Sequence, residues 1–204
     1  MHQLINDLQV NGRLAQQLNF ILETDKLKQV IRRNFIADGS RRENTAEHSW
    51  QIILITLLFA DYAKERDIDL LKVIKMLTLH DLVEIYSGDV FLFDEKANIG
   101  KFENEKISAE QLFGLLPSEQ KEEFSALWLE FEAGNTKESV FANTIDRITP
   151  FLLNSVNGGQ SWTEAGVKAE QAMRKLNIIE QGSTELWDLF LQLVERAKNN
   201  QLLR

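Results

Sequence analysis

The sequence predicts an all-α protein, a single-domain helical bundle, and three observations carry that prediction. Apolar residues recur at three- and four-residue spacing along almost the whole chain, the signature of helices with one buried face. Ten glycines and only two prolines leave few of the turns that an all-β fold needs. No run of buried β-branched residues lies between the helical stretches, as an α/β sheet would require. The 204 residues contain no long linker, internal repeat or low-complexity stretch, so one domain over residues 1–204 is expected.

Leu14, Leu18, Ile21 and Leu22 form the first apolar stripe, which Val30 and Ile31 rejoin further on. Asn44-Thr45-Ala46-Glu47 has the form of a capping box, a short polar acceptor followed three residues later by a carboxylate. Behind it, the run from Ile52 to Ala60 is apolar all round except for Thr56, which predicts a helix buried at the centre of the bundle. Asp69 caps a helix that continues through His80 and Asp81 and stops at Ser87-Gly88-Asp89. Val90 to Gly100 reads as a loop with Phe91 and Phe93 tucked beneath it. Helical spacing resumes at Phe102 and ends near Pro117-Ser118, where the next helix begins; that one runs through Glu132 and is terminated by Gly134.

Asn135-Thr136-Lys137-Glu138 again has capping-box form. It opens a helix carrying Val140, Phe141, Ile145, Ile148 and Leu152, in which Pro150 is expected to cause a kink or end the regular hydrogen bonding. After Asn157-Gly158-Gly159, a further helix starts at Ser161-Trp162-Thr163-Glu164, and Leu186, Phe190, Leu193 and Ala197 stripe the last. About seven to nine helices are expected in all. The C-terminal ones, 161–198, should pack on a core formed by residues 14 to 155.

Composition narrows the function. With 31 acids against 23 bases the chain carries a formal charge of −8, the wrong sign for a surface that binds a nucleic-acid polymer. The absence of cysteine excludes a disulfide framework, a zinc ribbon, an iron–sulfur cluster and a cysteine nucleophile. No signal peptide is visible from Met1 to Asp7, and no apolar run reaches the roughly 20 residues of a membrane span. A cytoplasmic protein with no membrane contact is the expectation, and an acidic helical protein with such apolar segments leaves a homodimer open.

Of the three histidines, His2 at the start of the chain is set aside. His48 falls in the first turn of the apolar helix, and His80-Asp81 is embedded in Leu77-Thr78-Leu79-His80-Asp81-Leu82-Val83. A carboxylate in such surroundings needs partners, because desolvating it unpaired is costly. A hydrogen-bonded core pair satisfies that need, and so does a metal. Asp146 is a further acid on a mostly apolar helix, with a solvent-facing position as its other reading. Two imidazoles and two carboxylates would form a mixed nitrogen and oxygen site suited to a divalent transition metal: manganese, iron, cobalt, nickel or zinc.

The order His48, His80-Asp81, Asp146 resembles the H…HD…D signature of the HD-domain metal-dependent phosphohydrolases. Asn44-Thr45-Ala46-Glu47-His48-Ser49-Trp50 is similar to that family's AEHS helix start, and His80-Asp81-Leu82-Val83-Glu84 to its HDxxE segment. Ser87-Gly88-Asp89 is similar to the GD that follows, and Leu127 to Gly134 to the helix preceding the last aspartate. Together they resemble the 5'-deoxynucleotidase-like branch. The resemblance implies that His48, His80, Asp81 and Asp146 are metal ligands and that Glu84 is the catalytic carboxylate acting on the attacking water. Asp89 would contact the sugar or assist the leaving oxygen.

Arg32, Arg33, Arg41 and Arg42 cluster just before His48 in an otherwise acidic chain, and guanidinium groups match phosphate oxygens in bidentate fashion. The branch has an arginine followed closely by an aromatic here, so Arg32, Arg33 and Phe35, with Asp89, are the expected substrate contacts. Asn34-Phe35 stands where the branch usually has Gly-Trp, and Phe91-Leu92 where Thr-Pro is common; these departures leave the implied metal chemistry untouched and leave base and sugar selectivity open. The Gly-Tyr-Pro of cyclic-dinucleotide phosphodiesterases is missing after the HD, and Ile85 replaces the second acid of the alarmone hydrolases.

The resemblance thus implies a metal-dependent phosphohydrolase acting on a small phosphomonoester, a (deoxy)nucleoside 5'-monophosphate. The alternative is a non-catalytic helical protein that keeps a metal as a clamp or binds a nucleotide as a sensor. A metal-free interaction bundle is the third reading.

Overall fold

The computed structural model describes residues 3–7 and 10–203; His2 lies outside them. The chain runs α1 (Gln3–Asp7), α2 (Gly12–Thr24), a 3₁₀ turn (Asp25–Gln29), β1 (Ile31–Phe35), β2 (Arg42–Asn44) and α3 (Thr45–Phe59). It continues with α4 (Leu70–Leu79), a second 3₁₀ stretch (His80–Val83), α5 (Glu84–Ser87), α6 (Lys101–Phe113), α7 (Ser118–Ala133) and α8 (Lys137–Val156). The C-terminal part is α9 (Gln160–Ala165), α10 (Ala169–Lys175), α11 (Ile178–Gly182) and α12 (Thr184–Asn199). The architecture is all-α, with one small hairpin. The twelve α-helices among the described residues exceed the expected number because several are single turns, too short to show a period of their own. Among the described residues, no helix is long and apolar enough to cross a membrane.

Two expectations about the N-terminal third are corrected. Val30 and Ile31 do not rejoin the stripe of α2: the helix ends at Thr24 and Ile31 opens β1. β1 and β2 pair antiparallel, with Ile31 opposite Asn44 and Phe35 opposite Arg42 and a register irregularity between. The strand's buried face is the polar one (Arg32 and Asn34 inward, Ile31, Arg33 and Phe35 outward), so no inward apolar period of two betrays it. Nor is α3 the central helix. Thr45, His48, Ser49, Ile52 and Thr56 face inward, whereas Trp50, Leu54, Leu57 and Leu58 are exposed.

The centre is α8. Phe141, Ala142, Ile145, Ile148 and Phe151 on it are buried, and α3, α4, α7, α11 and α12 all pack against it. Phe151 sits against Trp162 and Phe190, with ring centroids at 4.4 and 4.8 Å, which joins α9 and α12 to this core. Pro150 does not end α8, which continues to Val156. Its missing N–H deprives only the carbonyl four residues back, that of Asp146, of its helical partner.

The caps set the entry of each functional helix. Asn44 Oδ1 accepts from the Glu47 amide at 3.0 Å, and the Glu47 carboxylate accepts from the Asn44 amide at 3.2 Å, closing the box at the start of α3. The box of α8 is displaced by one residue from the sequence reading: Thr136 and Ser139, not Asn135 and Glu138, exchange the two bonds. Glu138 instead accepts from the Asp69 amide at 3.1 Å, beside the start of α4.

Candidate metal centre

Three separate stretches converge beside α8. α3 brings His48 from its first turn, the 3₁₀ stretch after α4 brings His80 and Asp81, and the middle of α8 brings Asp146. One donor atom from each of His48, His80 and Asp146 lies within 4.8 Å of the others. His48 Nε2 and His80 Nε2 are 3.0 and 3.5 Å from Asp146 Oδ1, and 3.9 and 3.1 Å from Asp81 Oδ2. All four side chains resembling the H…HD…D signature therefore point their donors into one small volume.

The ring orientations suit a cation. His80 Nδ1 donates to the Leu77 carbonyl at 2.9 Å, which turns the buried Nε2, without a hydrogen-bond partner, toward the cluster. A backbone carbonyl that fixes the ring of a ligating histidine in this way is the usual support of a metal site. His48 Nδ1 faces the buried Glu43 carboxylate at 3.7 Å, so its Nε2 is likewise turned to the cluster. The orphaned Nε2, with two carboxylates around it, fits a divalent transition metal bound through two nitrogens and two oxygens. His48, His80, Asp81 and Asp146 would hold it.

The electrostatics indicate the same need for positive charge. Burial drives the His48 imidazole down to about 4, with the Arg32 charge adding to the effect. His80 is pulled down by burial, but the Asp81 and Asp146 carboxylates outweigh it and hold the imidazole up to about 10. In the metal-free protein at neutral pH, a proton on His80 thus occupies the place a cation would take. Below about pH 10, binding must displace that proton, so affinity should rise by about tenfold per pH unit. Calorimetry in buffers of different ionisation enthalpy will read one proton released per ion; a buffer-independent heat would contradict it.

Glu84 follows one turn later and is buried, with its Oε2 accepting from Thr45 Oγ1 at 2.9 Å. Burial and the Asp81 charge push its carboxyl well above the usual range. Gly88 adopts φ +77°, a conformation side chains disfavour, and turns the chain so that Asp89 reaches back to the site. Asp89 Oδ2 accepts from the Arg33 amide at 3.4 Å, and its Oδ1 lies 3.6 Å from Arg32.

The arginine cluster divides by strand alternation. Arg32 points inward, is buried, and donates to Asp81 at 2.8 Å. Arg33 and Phe35, expected as substrate contacts, are not among the side chains lining the cavity: the period of two turns them to the other face. Arg33 lies over the Phe91 ring at 5.6 Å, and Phe35 lies under Arg42 at 4.7 Å. Arg41 is bonded to Glu47 through two 2.8 Å contacts, and Arg42 to Glu164 at 2.7 Å.

His80, Asp81 and Asp146 of the cluster form the floor of a cavity. Asn34 lines it in place of Phe35, beside Arg32 on the same strand face. Two further cations that sequence reasoning did not single out as contacts, Lys101 at the start of α6 and Arg147 next to Asp146, line it with Glu132. Lys101 is held by Glu105 at 3.0 Å. The remaining wall is apolar and includes Phe91, Phe93, Phe151 and Trp162. Trp162 lies beyond residue 155, so the C-terminal helices contribute to the site as well as packing on the core.

Comparison with known proteins agrees with this geometry. The sequence profile of the HD domain matches residues 24–187. A protein described as a predicted metal-dependent phosphohydrolase from Magnetospirillum magnetotacticum is 42% identical and superposes with a TM-score of 0.88, over 95% of this chain and 99% of that one. The PH0347 protein of Pyrococcus horikoshii, 23% identical, shares the fold with a TM-score of 0.61 over 88% of this chain and 99% of that one. Among curated proteins, the 5'-deoxynucleotidase HDDC2 of Xenopus laevis is 29% identical over 136 residues, 66% of each chain. The 5'-deoxynucleotidase hdd1 of Schizosaccharomyces pombe is 28% identical over 130 residues, 60% of this chain and 62% of that one. The match spans about two thirds of these relatives' length. By its matched profile, its fold and the four side chains gathered beside α8, the chain belongs to the HD domain family.

Proposed function

We propose that this protein is a metal-dependent phosphohydrolase that removes phosphate from a small phosphomonoester, most favourably a (deoxy)nucleoside 5'-monophosphate. The observation that carries the reading is the convergence of His48, His80, Asp81 and Asp146 beside α8, the last three lining a cavity that also holds buried Glu84 and three cationic side chains. A bound divalent cation would supply Lewis acidity toward a phosphate oxygen and lower the pKa of a water toward neutrality. Glu84 would orient that water and take its proton, a reading its burial and raised pKa support. Arg32, Lys101 and Arg147 offset charge on the phosphoryl group, where positioning and electrostatics carry most of the catalysis. Asp89 stands where it can meet the leaving oxygen or the sugar. The names of the curated relatives support a deoxynucleotide as the substrate.

The far wall suits a nucleoside, with aromatic rings for base and sugar and one fixed polar group. Asn154 Nδ2 donates to the Pro150 carbonyl at 2.9 Å and to Asn34 Oδ1 at 3.1 Å, and Ser161 donates to Asn154 Oδ1 at 2.5 Å. A carbonyl only accepts, so this chain fixes both amides and leaves the Asn34 NH₂ group to the cavity. Asn34→Asp keeps the shape and removes that donor; it should raise KM for a nucleotide by about tenfold. Steady-state kinetics showing an unchanged KM would take Asn34 out of the substrate contacts.

The reading itself is tested by stripping the protein of metal, adding back manganese, cobalt, magnesium or zinc, and screening deoxy- and ribonucleoside monophosphates beside other phosphoesters. Metal-dependent release of phosphate from the monophosphates is expected. Tight metal binding with no phosphoester cleaved would favour the sensor or clamp.

A further inference from the structure

β2 buries one side chain, Glu43, on the hairpin face that also carries Arg32 and Asn34. Asn44 caps α3, so Glu43 is the residue before the cap and His48 the fourth residue of the helix. Side chains at those two places meet across the helix entry, where an apolar pair commonly staples the fold. Here the pair is a carboxylate and an imidazole, both buried. Glu43 Oε2 lies 3.7 Å from His48 Nδ1 and 3.5 Å from Arg32 Nε. All three atoms are buried, and none has a hydrogen-bond partner. Complementary groups held just beyond bonding distance are costly to leave unpaired.

The opposite edge of the ring explains the gap. His48 Nε2 is 3.0 Å from Asp146 Oδ1. The Asp146 pKa lies well below the usual carboxylate range despite burial, so that group only accepts, and Nε2 carries the proton of the ring. A ligating His48 must instead present the lone pair of Nε2 and carry its proton on Nδ1. The acceptor facing Nδ1 is Glu43 Oε2.

We propose that Glu43 is a positioning residue of the metal centre, accepting the Nδ1–H of His48 and the Nε–H of Arg32 when a divalent cation is bound. The inference rests on the metal centre described above and not on the reaction carried out there. The ring stays neutral throughout: one proton leaves Nε2 for water and one reaches Nδ1 from water. A carboxylate behind a histidine ligand fixes its tautomer and orientation and strengthens its hold on the metal. The second bond ties that ligand to the cavity's arginine. Arg32 donates to Asp81 at 2.8 Å and lies 3.6 Å from Asp89, so Glu43 steadies one carboxylate ligand as well. A Glu43 that merely balanced the Arg32 charge in the fold would affect stability and leave metal affinity alone.

Zinc is the probe, added to the stripped full-length protein and titrated in competition with a chelator at constant pH. Glu43→Leu, which offers no acceptor, should weaken zinc binding by about 100-fold, and Glu43→Gln, which keeps one oxygen, by about tenfold. A parent that binds zinc while both variants bind it within twofold of the parent overturns the role of Glu43 alone. A parent that takes up no zinc overturns the metal centre with it. The second measurement needs no variant. With only three histidines in the chain, long-range proton–nitrogen correlation on protein labelled with ¹⁵N-histidine resolves His48. Zinc should move its proton from Nε2 to Nδ1. A zinc-loaded His48 with no proton on Nδ1 overturns the proposal whatever the variants do.

Discussion

Replacing His80 or Asp81 by alanine is expected to remove metal and phosphohydrolase activity together. Each donates an atom within 3.9 Å of the His48 nitrogen or within 3.5 Å of the Asp146 oxygen, so neither loss can be covered by the remaining ligands. His80→Ala leaves two carboxylates facing each other with one imidazole between them; Asp81→Ala also releases Arg32, whose guanidinium it holds at 2.8 Å. Turnover should fall by about 10³-fold or more, as when a principal source of charge stabilisation is lost. Metal content after desalting, read by elemental analysis, should fall with it. A variant that retains the ion and hydrolyses deoxynucleotides at the parent rate would dismantle the assignment of the centre. Circular dichroism should stay helical, because the core of α8 around Phe141, Ile145 and Phe151 does not depend on the ligands.

How much of this is legible in the sequence differs between the two kinds of element. His48 and Asp146 are separated by 98 positions, yet each of the four ligands stands in a recognisable local setting, a capped helix start or an acid in an apolar helix. Their convergence can be read from the resemblance, and the distances agree with it. The inward cations cannot. Arg32 and Arg33 are chemically equal neighbours, and only the hairpin's period of two separates them; an all-helical reading has no strand with which to choose. Lys101 opens a helix some twenty residues beyond His80 and carries no signal except charge at a first turn. It is tied to the site by tertiary packing, through Glu105. α3 misleads for a related reason. Its apolar run suggests burial all round, whereas only the face of Thr45, His48, Ser49, Ile52 and Thr56 turns inward; apolarity alone does not say which side packs.

Replacing Glu84 by glutamine should separate catalysis from metal binding. The amide keeps the volume of the carboxyl and can still accept from Thr45, so the ligands are untouched and metal content should match the parent. What is lost is a group able to take a proton from water, a contribution of about 10² to 10⁴ in rate. The pH profile supplies the second readout. A base must be deprotonated to act, so parent activity should fall as pH drops through the raised Glu84 pKa, and that limb should vanish in the variant. Stability moves the opposite way. A carboxyl whose folded pKa lies above its unfolded value favours the folded state when protonated, and that advantage is lost as pH rises through the folded pKa. At and above neutral pH the metal-free Glu84→Gln variant should therefore melt no lower than the parent. A slow enzyme with full metal and undiminished melting temperature is a catalyst lacking its base. A variant that turns over as fast as the parent would mean that the carboxylate only buttresses Thr45, and the clamp would become the better account of the centre.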